Sequence, residues 1–184
     1  MDTAKSQDLH WYALSVYGNK VLAAETILNE MGLETYVPVT ISFRPRKGST
    51  PEEVRTPAVS RLMFVRASAA QLLEIERSET LPIHIYRTLD SNPFDRRLIV
   101  IPDSEMQTFI LVSSCGEQGL EYFAGGDMTF RPGSKVRVIQ GPFKGSVGHI
   151  KRIKGNRRLV VEIQGICAVA TSYIPAPFLE YLPD

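Results

Sequence analysis

Cysteine is scarce in this chain: Cys115 and Cys167 are the two among 184 residues. Their spacing fits no metal-ligand pattern and offers no disulfide framework. Histidine is nearly as sparse. His10, His84 and His149 stand apart, and neither cysteine has a histidine near it in sequence, so a metal centre is not expected. No apolar run approaches the ~18 residues of a membrane span. The opening segment MDTAKSQDLH also lacks the apolar stretch of a secretory signal. The expectation is a cytoplasmic protein with no membrane partner. Both GxGxxG and the phosphate-binding loop ending in Lys-Ser/Thr are missing. Glu52–Glu53 and Glu74/Glu76 lie in polar or helix-surface contexts, and no Ser/His/Asp or Cys/His set falls in frame. Neither an enzyme nor a cofactor is expected.

The net charge of +1 conceals an asymmetry. Residues 1–128 hold 12 Lys and Arg against 17 Asp and Glu, a net of −5, whereas residues 129–184 hold 9 against 3, a net of +6. Such a split is a two-domain signal, and the basic part is drawn towards nucleic acid or an acidic protein surface. Along the chain, WYALSV (11–16) reads as a strand covered on both faces. Val21, Ala24, Leu28 and Met31 then recur at helical steps, with Asn19 placed to cap the helix and Gly32 to close it. The polar run RPRKGSTPEEVR (44–55) reads as the tip of a long hairpin, with AVSRLMFVRA (58–67) as its return. Ser68 and Gln71 spell a capping box ahead of a second helix. IHIYRT and RLIVI are short strands, and Pro102–Asp103 opens a third helix burying Met106, Phe109 and Ile110. From 113 to 128 the pattern fades into a glycine-bearing linker, although Leu120, Tyr122 and Phe123 are apolar enough to dock. Short extended segments then follow at 135–140, 147–153, 158–163 and 166–171, which fits a small barrel.

One turn in that barrel is costly. Gly141, Pro142, Gly145 and Gly148 fall within eight residues around Phe143. Sharp coiling of a small sheet explains the glycines. Phe143 is either a lid folded onto the barrel or an exposed docking point. The pattern Gly133-x-x-Val136-x-Val138-x-x-Gly141-Pro142-Phe143-x-Gly145-x-x-Gly148-x-Ile150 resembles the KOW motif of NusG-type transcription factors and some ribosomal proteins. Together with WYALSVYGNK…AAETIL, RLMFVRA and a linker, the order resembles the NusG family over nearly the whole chain. IVIPDSEMQTFI is similar to the specialised paralogues that serve polysaccharide operons in Bacteroides-type bacteria.

The resemblance implies an α+β chain. An NGN domain (8–112), an antiparallel sheet with flanking helices resembling a ferredoxin-like fold, is followed by a flexible linker (113–128) and an SH3-like KOW barrel (129–184). It implies a monomeric elongation and antitermination factor. The NGN domain of such a factor binds the clamp helices of RNA polymerase, holds the clamp closed and reduces pausing, while the barrel recruits a ribosomal protein or Rho. Trp11, Tyr12 and Tyr17, with Val59, Leu62 and Phe64 from the hairpin return, match the family's clamp-binding patch. Where the family commonly has Phe-Pro-Gly-Tyr, this chain has Val59-Ser60-Arg61-Leu62. For Trp11 and Phe64 a plain core role stays open, with Tyr17 and Leu62 the stronger surface candidates. Arg44, Arg46 and Lys47 are a solvated tip or a contact to DNA. Phe143, Lys144, Lys151 and Arg152 are the candidates for binding the barrel's partner, with nascent RNA a further basic-face ligand. A ribosome- or RNA-binding KOW protein is the rival reading.

Overall fold

The structure, a computed structural model, describes residues 8–48, 50–88, 96–125, 133–163 and 165–183. By its internal packing the chain divides into Met1–Pro102 and Asp103–Asp184.

The first unit runs β1 (His10–Val16), α1 (Val21–Glu30), β2 (Glu34–Tyr36), β3 (Val39–Arg44), β4 (Glu52–Pro57), β5 (Leu62–Ala67), α2 (Ala69–Arg77) and β6 (Ile83–Ile85). Its main sheet has the order β2-β5-β1-β6, antiparallel at each pairing. The central strands β1 and β5 are apolar at almost every position, and both alternating sets are buried. Tyr12, Leu14 and Val16 pack with Met63 and Val65 against Val21, Ala24 and Leu28 of α1 and Leu72 and Ile75 of α2. Each valine, leucine, isoleucine or methionine among them contributes about 1.5–3 kcal/mol on burial. The expected capping box is present: Gln71 N–H donates to Ser68 Oγ (3.3 Å), and Ser68 N–H donates to Gln71 Oε1 (3.1 Å). Asn19 does not cap α1. Lys20 holds the cap position without a side-chain bond, and Asn19 turns to φ 55° instead. Met31, expected on the buried face, is exposed because the helix ends at Glu30. Glu76 staples α2 to β6, accepting from Ile85 N–H (2.9 Å) and from Arg87. The expected strand over RLIVI is reduced to isolated bridges at Leu98 and Ile101.

Antiparallel pairing brings three loops to one end of this sheet: the exit of β1, the entry of β5 and the entry of β6. Val16 N–H donates to Arg61 O (2.7 Å) and Tyr17 N–H to Pro82 O (2.9 Å). Each loop carries a non-glycine residue at positive φ, namely Asn19, Arg61 and Glu79.

The second unit comprises α3 (Asp103–Ser113), β7 (Glu121–Ala124), β8 (Lys135–Val138), β9 (Val147–Ile153), β10 (Asn156–Ile163), β11 (Cys167–Tyr173) and β12 (Leu179–Tyr181). The sheet order is β12-β8-β9-β10-β11-β7. Gly148 has a packing reason: a Cβ there would lie 2.5 Å from Val160 O. The Val138–Ser146 turn closes on itself. Val138 N–H donates to Ser146 O and Gly145 N–H to Val138 O, while Lys144 N–H donates to Gly141 O and Ser146 N–H to Phe143 O. Gly141 takes φ +83° inside it.

Among the described residues from Leu159 to Thr171, β10 and β11 are buried on both alternating sets, with Glu162 and Gly165 the exposed exceptions. Leu159, Val161, Ile163, Cys167 and Val169 form one set. The other, Val160, Ala168 and Ala170, packs with Ile153 and Phe123. Helix α3 packs on β10 and β11. By internal packing residues 103–112 group with the strands that follow them, and residues 121–124 form a strand paired with β11. Residues 126–128 lie outside those described.

Candidate functional site

The clamp-patch candidates separate by exposure. Trp11, Tyr12, Val59, Leu62 and Phe64 are all buried, Leu62 at 1%. For Leu62, the expected surface contact, this is a correction. It opens β5 and pairs across from Ser15 of β1, between the sheet's two central strands. Tyr12 belongs to the α1–α2 core, and burial pushes its hydroxyl's pKa up, with Asp8 adding to the shift. Tyr17 alone of the six is exposed, at 48%. The Arg61 guanidinium sits 5.9 Å from its ring centroid, a cation–π distance. The positive-φ turn is what carries that guanidinium back over β1's exit. Lys20 is exposed in the adjoining loop. The end of the sheet therefore carries an aromatic–basic rim on the loops that leave β1 and enter β5.

Arg44, Arg46 and Lys47 are all exposed at the β3–β4 hairpin. The same ribbon exposes Ile41 at 56% and Phe43 at 67%, two residues apart and so on one face. Arg55 faces Ile41 across the ladder and reaches Glu25 at 3.6 Å. Sequence reasoning passed over Ile41, Phe43 and Arg61. For the first two there was a signal: the partner strand EEVRTP offers little apolar surface to cover an Ile-x-Phe alternation. For Arg61 there was the departure from Phe-Pro-Gly-Tyr.

In the second unit Phe143 is 3% exposed, which removes it from the partner-binding candidates: the ring closes the turn as a lid. Lys144 and Arg152 are exposed, and Lys151 is half-buried, its pKa lowered by desolvation. Lys154 and Arg158 converge on Glu121 Oε1 at 3.1 and 2.9 Å. The hydrogen bond from Lys154 is the first cause of that carboxyl's lowered pKa. Burial raises the Cys167 thiol to about 12. Among the described residues no group of His, Cys, Asp and Glu could hold a metal, and no helix is long and apolar enough to cross a membrane.

Two family models match the sequence. The one described as the KOW motif covers residues 132–162, the region of β8–β10 and the glycine-rich turn. The one described as transcription termination factor nusG covers residues 9–110, more than half of the chain. No curated protein matches. The antiparallel sheet with its helices is the NGN architecture, and the strands after it are the SH3-like KOW architecture. NusG-family proteins are non-enzymatic factors that bind RNA polymerase. With an NGN region and a KOW motif in that order, the chain belongs to the NusG family of transcription factors.

Proposed function

We propose that the protein binds RNA polymerase through its first unit, favours the closed clamp and suppresses pausing and termination on particular long operons, while its KOW unit recruits a second partner. The observation that carries the reading is the match over 9–110 to a unit whose exposed aromatics are concentrated at the Tyr17–Arg61 rim and at Phe43. Aromatic and arginine anchors are the residue types that dominate protein interfaces. A bridge of this kind shifts the clamp equilibrium only by its differential affinity for the closed state. A coupling of about 1–3 kcal/mol changes the closed-to-open ratio roughly 5- to 150-fold. The basic hairpin tip, Arg44, Arg46 and Lys47, contacts DNA phosphates in this arrangement.

The test is retention of the full chain on purified RNA polymerase. Tyr17→Ala with Arg61→Ala, and separately Phe43→Ala, should leave the fold intact and weaken retention at least tenfold. Full retention by both variants would refute the assignment. The net charge of +6 over residues 129–184 favours a second reading, a ribosome- or RNA-binding KOW protein. Polymerase retention that is lost on RNase treatment would support it instead.

A further inference from the structure

The second unit contains a sheet edge that the chain fills by itself. The neighbours of β11 are β10 and β7, and β7 is four residues long. None of those four residues is fully buried. Three side-chain contacts hold the strand. Glu121 Oε1 accepts from Lys154 and Arg158. Phe123, two residues on and on the same face, packs with Ile153, Val160, Ala168 and Ala170. Tyr122, on the opposite face, donates its hydroxyl to Ser113 O at 3.3 Å. Among the described residues, Arg158 Nε is buried without a hydrogen-bond partner, so the basic side of this pairing is not saturated by Glu121.

We propose that the edge of β11 at Cys167–Ala170 is a strand-exchange site. At rest β7 occupies it. A partner protein displaces β7 by presenting an extended segment with an acidic residue followed two positions later by an aromatic. The proposal rests on the reading that the KOW unit recruits a partner, and it names the surface and the partner's chemistry. Strand addition takes affinity from the backbone ladder and specificity from alternate side chains. Here the specificity elements are the Lys154–Arg158 pair and the apolar hollow over Ala168 and Ala170. Small residues at those two positions leave room for a ring from the added strand. A tethered resident strand acts at an effective concentration on the order of millimolar. A chance hydrophobic strand is therefore excluded, and the edge is protected from aggregation. A short strand with half-buried side chains remains displaceable by a longer one.

The probe is a fluorescein-labelled peptide of residues 117–125, EQGLEYFAG, with a scrambled control, measured by anisotropy on the full chain. Three proteins are compared: wild type, Glu121→Lys with Phe123→Ala, and Ala124→Cys with Cys115→Ser. In the last, the new thiol faces native Cys167 across the ladder, and oxidation locks β7 in place. The expected result is weak binding to wild type, at least tenfold tighter binding to the weakened-strand variant, and none to the locked form until it is reduced. Equal binding to all three, or binding to the locked form, overturns the proposal. An RNA oligonucleotide that binds this edge and leaves on locking overturns the protein-strand assignment. Should the weakened-strand variant fail to fold, hydrogen exchange at 167–170 decides the matter in the locking variant. Exchange that does not quicken on reduction rules out displacement. Polymerase retention is measured on the same proteins, so loss of the primary reading is seen separately.

Discussion

Replacing Phe143 with alanine distinguishes a core residue from a docking one. The ring is 3% exposed, and the turn around it is closed by four backbone hydrogen bonds between Val138 and Ser146. A phenylalanine buries on the order of 150 Å² or more. At about 25 cal/mol per Å² that burial is worth roughly 4 kcal/mol, in line with the 3–5 kcal/mol that core Phe→Ala changes typically cost. A unit of this size has a total stability of only about 3–5 kcal/mol. Phe143→Ala should therefore leave the second unit largely unfolded at 25 °C, whereas Phe143→Leu should cost about 1–1.5 kcal/mol. Thermal melts of the full chain can separate the units. Trp11, the sole tryptophan, lies in the first unit, so its fluorescence follows that unit while far-UV circular dichroism follows both. The expected record is an unchanged tryptophan transition and a missing or much earlier transition in the dichroism. A Phe143→Ala protein melting within about 1 kcal/mol of wild type would refute the lid, and the exposed docking role would return.

Glu76→Gln should weaken the first unit at neutral pH by about 1–3 kcal/mol and flatten its acid sensitivity. Burial alone would raise the Glu76 pKa, but bonds from Arg87 and Ile85 N–H outweigh it and hold the folded carboxyl below its ordinary 4.5. Its stabilisation is thus complete at pH 7 and lost as pH falls below 4.5 through the folded value. Urea midpoints of the two proteins should differ at pH 7 and draw together as pH is lowered through the acid limb. Gly148→Ala forces a Cβ to within 2.5 Å of Val160 O, so a loss of roughly 1–3 kcal/mol is expected in a denaturant melt of the second unit. Cys167, buried with its thiol at about 12, should resist a thiol reagent at pH 8 until the second unit opens, while partly exposed Cys115 reacts in the folded protein. Leu62→Asp should unfold the first unit rather than test a contact, because Leu62 is 1% exposed.

Much of this fold can be read directly from local chemistry. The Ser68–Gln71 box, the unbroken apolar run of β1 and the short strands of the KOW region each carry a pattern that one element suffices to specify. The failures share a cause, which is that exposure depends on neighbours distant in sequence. Leu62 and Tyr17 look alike as apolar residues beside a strand end. Only the register with Ser15 on one side and the open loop on the other sets them apart. β7 is four residues long, too short for a period to show. The packing of α3 on β10 and β11 is legible only in retrospect, from RLVVEI and CAVAT being apolar on both alternating sets.

The doubly buried β10–β11 pair has a consequence for how the protein is made and trimmed. Residues 103–124 leave the ribosome before the strands they pack on exist, so those contacts form only once the C-terminal sheet has been made. A fragment beginning at 129 never receives them. It would present Ile153, Val160, Ala168 and Ala170 to water as a continuous sticky stripe, and should precipitate where a fragment starting at 103 stays dispersed.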